Sequence, residues 1–339
     1  ALQALATAWR RALGAPVVGI TGSVGKTSVK DIARALLPGS VHANRENVNT
    51  EIGLPLTLLE APDETETLVL EMAMRGAGQI AELAHIAEPD VGVIVNVGPV
   101  HLELLGTIEA IAATKSELIE GLRPGGTAIV PADEPLLQTH LATLPEGVRT
   151  VTFGSGGDVD ALPDGLELPF ASAHMRSNAL AALAAARAVG VEPTGVLEVA
   201  LSELRGQRRE LPGGIVVIDD CYNANPMSMR AALDDLAASA HGRRVAVLGD
   251  MLELGPDEVR FHEEIGAHAR GVGVDLLVTV GPLAASMGDA FGGATVAVQR
   301  AGDVVAALRK RLRDGDTVLV KASRGVGLEV VAQELAGGA

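Results

Sequence analysis

The residue pattern with the clearest chemical meaning lies near the start of the chain, where residues 19–27 read GITGSVGKT. An apolar run precedes this segment and a stretch of helical period follows it, which predicts a loop between a strand and a helix. Glycines let backbone N–H groups converge on phosphate oxygens, while a lysine adds a cation and a threonine hydroxyl can bind Mg²⁺. The sequence therefore predicts a nucleotide phosphate site formed by Gly22, Ser23, Val24, Gly25, Lys26 and Thr27.

Other side chains with chemical potential follow later apolar runs. Glu71 ends the predicted strand at residues 67–71, where a parallel strand would present a hard oxygen ligand for Mg²⁺. His101 and Lys115 come after the next apolar run. Taken alone, His101 is equally well interpreted as a loop histidine, and the spacing of Lys115 favours an ordinary surface lysine. A chance Gly-Lys-Thr is the alternative for residues 25–27, because Ile20 stands where the general phosphate-loop pattern has its first glycine.

These side chains need a regular framework to position them. Short Val/Ile/Leu runs alternate with longer segments of helical period, which is typical of parallel sheets with crossover helices. The predicted strands are residues 17–20, 67–71, 91–95 and 127–130 and, in a second series, 215–218, 244–248, 276–280 and 317–320. The predicted helices include an amphipathic one at residues 1–11, one at 27–36 and one at 177–188. The fold class is therefore α/β, with a P-loop ATP-binding domain built on a parallel sheet and a Rossmann-like second domain.

The chain length suits two domains. We place the boundary near Gly206, within the polar segment 205–210 that separates the two alternating series. The first domain then spans residues 1–206, with a leading helix and linker at 1–15, and the second spans residues 207–339.

Composition limits the partners and the compartment. With 27 basic and 43 acidic residues the net charge is -16, which disfavours binding to nucleic acid or anionic lipid. No apolar run approaches the length that spans a bilayer, so no membrane insertion is expected. The single cysteine, Cys221, excludes an internal disulfide, which fits a reducing cytoplasm.

The variant T-G-S-x-G-K-T resembles that of the Mur ligase family, and the resemblance continues along almost the whole chain. It is carried by residues 47–56 (NVNTEIGLPL), 70–73 (LEMA), 101–103 (HLE), 115–117 (KSE), 174–182, 218–226 (IDDCYNANP), 248–255 (LGDMLELG) and 320–324 (VKASR). The resemblance implies ATP-dependent, ADP-forming ligation: ATP phosphorylates a substrate carboxylate, an amine attacks the acyl-phosphate, and phosphate leaves. It also implies ATP and Mg²⁺ as cofactors.

In the first domain, the resemblance implies that Thr27, Glu71 and His101 hold Mg²⁺ and that Lys115 carries a carbamate formed with carbon dioxide. It implies that Asn178 contacts the adenine edge, with helix capping as the alternative. Asn49 and Thr50 are expected to bind the carboxylate substrate. The catalytic residues implied for both domains are Lys26, Lys115, His101 and Arg208.

In the second domain, the resemblance implies that Asp219, Tyr222 and Asn225 reach the ATP ribose and phosphates across a domain cleft. A structural Asx turn is the alternative for this segment. Arg208 resembles an interdomain arginine that would bind the γ-phosphate, although Arg209 makes the assignment ambiguous by one position. A further set, expected to hold the amine substrate, comprises His262, Lys321 and Ser323, and a solvated strand-end lysine is the alternative for Lys321.

Residues 219–226 are closest to the D-alanyl-D-alanine-adding members, which implies a UDP-linked muramoyl tripeptide and D-alanyl-D-alanine as substrates of a cytoplasmic, monomeric enzyme of peptidoglycan synthesis. The departures from those members are Thr50 for Asn, Met175 for Asn and Cys221 for Ser. The N-terminal domain that such members use to bind the uridine diphosphate end has no counterpart here, since the first strand begins within twenty residues of the start. Two alternatives therefore stay open: a related ligase acting on a smaller carboxylate, and a non-catalytic P-loop nucleotide-binding module.

Overall fold

The structure is a computed structural model that describes residues 1–45, 48–170, 172–200 and 202–337. The chain divides into two compact units, residues 1–202 and residues 203–339. Each unit is built on its own sheet. Asn47, the first residue of one segment on which the resemblance rests, lies outside the described residues.

The first unit is an α/β unit with a parallel sheet. Its strands are β1 (Val17–Thr21), β2 (Val41–Ala43), β3 (Thr67–Glu71), β4 (Val91–Ile94), β5 (Thr127–Pro131) and β6 (Arg149–Phe153). They lie in the order β2-β3-β1-β4-β5-β6, and every neighbouring pair is parallel. A short parallel pair, β7 (Leu166–Glu167) with β8 (Gly195–Val196), lies outside this sheet. The predicted parallel sheet is therefore confirmed.

Helices cover both faces of this sheet, so its central strands are buried along their whole length, as doubly covered parallel strands are. The helices are α1 (Leu2–Leu13), α2 (Lys26–Leu36), α3 (Gly53–Glu60), α4 (Gln79–Ala87), α5 (Leu102–Leu105), α6 (Ile108–Glu120), α7 (Gln138–Leu141) and α8 (Ala173–Ala188). One face packs against a core that includes Leu54, Leu70 and Ile80, and the other against Ile32 and the alanines of α8.

Helix α8 begins at Ala173, four residues before the predicted start at residue 177. Ser172 occupies its N-cap position, so Asn178 lies inside the helix and is not a capping residue. The buried face of α8 consists mainly of alanines, which let the helix approach α2 closely. This packing brings the second turn of α8 to the phosphate loop.

The second unit contains a mixed sheet. Its strands are β9 (Gln207–Leu211), β10 (Ile215–Asp219), β11 (Arg244–Gly249), β12 (Leu276–Val280), β13 (Thr295–Val298) and β14 (Thr317–Lys321). Their order is β13-β12-β11-β14-β10-β9, and the strands are parallel except that β9 runs antiparallel to β10. The helices are α9 (Pro226–Ser239), α10 (Glu258–Gly271), α11 (Ala285–Phe291), α12 (Ala301–Arg309) and α13 (Glu329–Gly337). The predicted Rossmann-like α/β unit is confirmed.

The polar segment that we interpreted as the separator of the two series contains an edge strand. Residues 207–211 pair with residues 215–219, and three of the five β9 residues are exposed. An antiparallel edge strand keeps one face in water and so shows no continuous apolar run. That pattern hid the strand from the sequence analysis.

Candidate active site

The phosphate loop connects β1 to α2, as the sequence predicts. Gly25 precedes α2 with a left-handed φ of 82°. The loop therefore delivers the first N–H groups of α2, which have no partner within the helix, to one point at the edge of the sheet. Lys26 begins this helix, and its Nζ donates to the carbonyl oxygen of Gly22 at 2.8 Å. The arrangement is that of an anion-binding loop.

Asn96, a residue that the sequence analysis missed, holds the first half of the loop. Its Oδ1 accepts hydrogen bonds from the N–H groups of Ser23 and Val24 at 3.1 and 2.9 Å, and its Nδ2 donates to Val24 O at 3.0 Å. Ser23 Oγ also donates to Gly98 O at 3.0 Å. The signal for Asn96 is its position two residues after β4, the strand next to β1, where parallel strands place ligand-binding loops.

Gly25 is fixed by two independent constraints, which makes Gly25→Ala informative. A left-handed φ costs a non-glycine residue about 1 kcal/mol, and a Cβ at position 25 would lie 2.6 Å from Asn178 Oδ1. We expect this substitution to weaken ADP binding about tenfold or more, because the loop must shift. Isothermal titration calorimetry with ADP measures the effect. Gly14→Ala is the matched control, since Gly14 has φ 67° and a Cβ at position 14 would meet nothing within 4 Å; equal ADP affinity in the two variants would contradict the prediction.

Glu71, buried at the end of β3, is the centre of a hydrogen-bond network. Its Oε2 accepts from Thr27 Oγ1 at 2.7 Å and its Oε1 accepts from Asn49 Nδ2 at 3.0 Å. Asn44 Nδ2 donates to Glu71 O, and Glu71 N–H donates to Asn44 Oδ1, both at 2.8 Å. Thr27 and Glu71, both predicted as metal ligands, thus lie side by side. Asn49, predicted as a substrate residue, is buried against this carboxylate.

Thr27 and Glu71 fit a magnesium ion at a nucleotide. Mg²⁺ prefers hard oxygen ligands and is usually bound by one or two carboxylates together with phosphates and waters. Within the part of the chain that the structure describes, no group of three or more His, Cys, Asp and Glu side chains could hold a metal by itself. Two protein oxygens beside a phosphate loop match this mode of binding.

His101 and Thr50 lie at or near the starts of two helices. His101 has a left-handed φ of 54° at the N-cap of α5. Thr50 is exposed, and its Oγ1 accepts a long hydrogen bond of 3.4 Å from Gly53 N–H at the start of α3. Their metal and substrate roles therefore stay predictions.

Lys115 is buried on α6, with only 2% of its surface exposed. The interpretation as an ordinary surface lysine is therefore wrong. Burial lowers the pKa of Lys115 well below its usual range, and the charge of nearby Lys26 lowers it further. A neutral amine is nucleophilic, whereas an ammonium group is not.

Asn178 lies against the phosphate loop. Its side-chain oxygen faces Gly25, and its Nδ2 donates to Met175 Sδ at 3.8 Å. Met175, which departs from the usual asparagine, thus contacts the residue that we expected to bind the nucleotide. The packing of α8 on α2 is the reason that these two residues reach the loop.

Three loops meet at the carboxyl edge of the second sheet, as the sequence predicts. Lys321, at the end of β14, is buried, and its Nζ donates to Asp220 Oδ2 at 2.6 Å and to Asn223 O at 3.0 Å. Ser323 Oγ accepts from Leu252 N–H at 2.9 Å and donates to Ala224 O at 3.3 Å. Lys321 is therefore not a solvated strand-end lysine; it fixes the loop that follows β10.

The predicted nucleotide residues after β10 have different environments. Asp219 is fully buried, and neither of its carboxylate oxygens has a hydrogen-bond partner among the described residues. Burial raises the pKa of this carboxyl. The guanidinium of Arg205 stacks 3.9 Å from the ring centre of Tyr222. Asn225 forms a capping box with Ser228 at the start of α9, so the structural interpretation holds for its Oδ1.

Arg208 and Arg209 lie on β9, where neighbouring side chains point to opposite faces. Arg208 Nη2 donates to Asp235 Oδ2 at 2.8 Å and to Ser239 Oγ at 2.7 Å. Arg208 therefore faces α9. If the predicted phosphate-binding arginine were Arg209, it would lie on the opposite face of β9.

His262 is fully buried, which does not suit direct binding of a substrate. Its Nε2 accepts from Met251 N–H at 2.9 Å, so Nδ1 carries the proton and donates to Glu258 O at 2.6 Å. Both ring nitrogens are therefore used within the unit. His262 fixes the loop after β11, in which Glu253 has a left-handed φ of 63°.

This burial predicts a pH dependence of stability. Burial lowers the pKa of His262, so below pH of about 6.5 the unfolded chain takes up a proton that the folded chain refuses. As the pH decreases through that range, the free energy of unfolding should therefore decrease by up to about 1.4 kcal/mol per pH unit. Urea unfolding at pH 7.5 and 5.5 should show a smaller pH difference for His262→Gln than for wild type. His241→Gln, at an exposed histidine, is the control; an unchanged difference in His262→Gln would contradict the prediction.

A phosphate loop on a parallel sheet, with a threonine and a glutamate side by side at its edge, defines a P-loop nucleotide-binding protein of the α/β class. A family model described as Mur ligase middle domain matches residues 20–164, and one described as Mur ligase, glutamate ligase domain matches residues 204–324. The chain belongs to the Mur ligase family. Members of this family are ATP-dependent ligases that form ADP, and this chain is an enzyme of that class.

Individual proteins are similar over nearly the whole chain. The UDP-N-acetylmuramoyl-tripeptide--D-alanyl-D-alanine ligase of Synechocystis sp. is 41% identical, in an alignment that covers 99% of this chain and 78% of that protein. The crystal structure of MurF from Acinetobacter baumannii matches with a TM-score of 0.90 and 29% identity, covering 99% and 80% of the two chains. The MurF ligase from Thermotoga maritima in complex with ADP matches with a TM-score of 0.84 and 32% identity, covering 100% and 85%.

Proposed function

We propose that this chain joins D-alanyl-D-alanine to a UDP-N-acetylmuramoyl tripeptide at the expense of ATP, in peptidoglycan precursor synthesis. The observation that carries the proposal is the Thr27–Glu71 contact beside the phosphate loop, in a chain that matches a ligase of this name over 99% of its length. The solved relative that contains ADP supports ATP as the phosphate donor.

The phosphate loop would bind the β- and γ-phosphates of ATP. The N-terminus of α2 supplies N–H donors, and the ammonium group of Lys26 supplies a positive charge. Mg²⁺ would be held by Thr27 and Glu71, and when bound it neutralises charge on the phosphate oxygens. Asn49 and Asn44 fix the orientation of Glu71 and reduce its freedom to turn away.

The reaction proceeds in two steps. A carboxylate oxygen of the tripeptide attacks the γ-phosphorus, the bond to ADP breaks, and an acyl-phosphate forms. The amine of D-alanyl-D-alanine then attacks the acyl carbon, and the tetrahedral intermediate expels inorganic phosphate. Negative charge develops on phosphoryl and acyl oxygens in both steps, so fixed cations and N–H donors provide most of the stabilisation. We assign this role to Lys26 and, on the second unit, to Arg208.

Lys115 would act as a carbamate. Its neutral amine attacks carbon dioxide, an N–C bond forms, and loss of a proton leaves an anion in place of a cation. The lowered pKa of Lys115 supports this chemistry, because it favours the unprotonated, nucleophilic form of the amine. The resulting anion, together with His101, would complete the surroundings of the metal and the substrate phosphate.

The remaining predicted residues would bind the nucleotide, the tripeptide or D-alanyl-D-alanine, or would hold the loops that do so. Asn178 would contact the adenine edge, and Tyr222 and Asn225 the nucleotide; Asp219 has no exposed atom and would act through the loop that it precedes. Thr50 would contact the tripeptide. Lys321, Ser323 and His262 would fix the loops that receive D-alanyl-D-alanine, because their polar atoms already hold those loops. A cytoplasmic location and a monomeric state stay predictions, and size-exclusion chromatography tests the second.

Among the residues that the structure describes, no helix has the length and hydropathy to cross a membrane.

The proposed function is tested by an assay of ADP release with ATP, the UDP-linked tripeptide and D-alanyl-D-alanine, each omitted in turn. We expect continuous ADP release only when all three are present, and mass spectrometry should detect the pentapeptide product. Continuous ADP release with ATP alone would indicate a nucleotide hydrolase, and continuous release when a simpler carboxylate replaces the tripeptide would indicate a ligase with a smaller acceptor.

A further inference from the structure

The loop that follows Glu71 carries a cation to which no role has been assigned above. It spans residues 72–78 (MAMRGAG) between β3 and α4, and Arg75 is exposed on it. Strands β1 and β3 are parallel neighbours, so this loop and the phosphate loop leave the same edge of the sheet. Arg75 is four residues from Glu71 along the chain.

The core side of this loop is anchored by packing. Met72 and Met74 are 0% and 5% exposed and belong to the apolar core of the first unit. Between them, Ala73 N–H donates at 3.1 Å to the carbonyl oxygen of Asn49, the residue whose side chain donates to Glu71. These contacts hold the segment that leads into Arg75.

Two side chains hold the rest of the loop. Gln79 Oε1 accepts from the N–H groups of Arg75 and Gly76, at 2.6 and 3.2 Å. The carboxylate of Glu117 accepts from Gly78 N–H at 2.7 Å and Ala81 N–H at 2.9 Å, at the start of α4. Glu117 lies on α6 two residues after Lys115, so the loop is tied to the helix that carries the proposed carbamate.

A rigid loop with one exposed guanidinium suits recognition of an anion. Guanidinium groups bind carboxylates and phosphates with two parallel hydrogen bonds. A backbone that is already ordered loses little entropy when the ligand binds. In a chain of net charge -16, an anionic substrate is repelled overall and needs a cation near the reacting group.

We propose that Arg75 binds an anionic group of the carboxylate substrate and thereby determines which acceptor is used, while Glu117 is a positioning residue that holds the Arg75 loop. This inference rests on the proposed function and extends it to the residue that recognises the acceptor. The non-reacting carboxylate of the peptide and the diphosphate of its carrier share the chemistry that a guanidinium recognises. Acceptors that lack one or the other group distinguish them.

The first test is Arg75→Ala in the full chain, with steady-state kinetics for each of the three substrates. We expect KM for the UDP-linked tripeptide to rise about 10- to 100-fold, because a charge-assisted hydrogen bond is lost. KM for ATP and for D-alanyl-D-alanine should stay within about twofold of wild type, since P-loop and amine contacts are untouched. The KM of Arg75→Lys for the UDP-linked tripeptide should lie between that of wild type and that of Arg75→Ala. Arg34→Ala is the matched control, because Arg34 is an exposed arginine in the last turn of α2.

The second test is a double-mutant cycle with Glu117→Gln. Glutamine keeps the size of the side chain but removes the charge that orders the start of α4. If Glu117 acts through Arg75, Glu117→Gln should raise the acceptor KM in the wild-type background and change it little in the Arg75→Ala background. An equal rise in both backgrounds would mean that Glu117 acts independently of Arg75 and would overturn that part of the proposal.

The outcomes separate the inference from the function on which it rests. A wild-type chain that releases no ADP with all three substrates would refute the proposed function and this inference together. An active wild type with an Arg75→Ala variant that behaves like Arg34→Ala would overturn the inference alone. A rise in KM for ATP in place of the acceptor would assign Arg75 to the nucleotide and would also overturn it.

Discussion

Replacing Lys26 with alanine is expected to lower ATP-dependent turnover by about 10³-fold or more, because the variant loses the cation that stabilises charge on the transferred phosphoryl group. Lys26 is the first residue of α2 and is only partly buried, so the fold should be retained. ADP release measures the first effect, and far-UV circular dichroism with a thermal melt measures the second.

Lys310→Ala is the matched control for Lys26→Ala, since it removes an exposed lysine just after α12. Full ligase activity in Lys26→Ala would refute the phosphate site. Lys26→Ala should also raise the pKa of Lys115, because the charge of Lys26 contributes to its lowering. Modification of Lys115 by a carbonate-dependent mass shift should therefore decrease in the same variant.

Replacing Lys115 is expected to lower turnover about 100-fold or more, since the anion that the carbamate supplies at the metal site would be absent. Lys115→Ala leaves a cavity, and added formate or acetate should partly restore turnover by supplying a carboxylate there. Lys115→Met fills the same volume without an amine and should not respond to either anion. Turnover measured with and without the additive in both variants makes this comparison.

Stability provides the second measurement for this residue. Lys115→Met should melt at or above the wild-type temperature, because it replaces a desolvated amine by an apolar side chain of similar size. A loss of turnover in Lys115→Met with an intact fold would then reflect chemistry and not packing. Unchanged turnover in either variant without additive would show that the lysine has no role in the reaction.

Local sequence determined much of the site. Residues 22–25 form the predicted turn between β1 and α2, since glycine at position 25 and the helical period after it act over a few residues. Glu71 ends its strand as the apolar run predicts, and Asp219 and Lys321, which were predicted to follow their strands directly, are the last residues of those strands. In parallel sheets such ends share an edge, so the sequence also predicted that the motifs of each unit would gather at that edge.

What the sequence left open depended on contacts between distant segments. The Thr27–Glu71 pair joins residues 44 positions apart, and Asn96 reaches Ser23 across 73 positions. Whether Lys115 is a surface lysine or a buried amine with a lowered pKa depends on the packing around α6, because desolvation comes from neighbours that no local pattern specifies. The environment of His262 also depends on packing. Its motif predicted a substrate-binding residue, whereas in the structure it is buried and its ring holds the loop after β11.

Sequence by itself thus determined which residue types stand at the ends of which strands, since backbone geometry and side-chain period are properties of short segments. Tertiary structure alone decided which of those side chains face one another, which are shielded from water, and which loops are held rigid. Hydrogen bonds and desolvation act over a few ångströms in space, and segments remote along the chain come that close only when both faces of each sheet are packed.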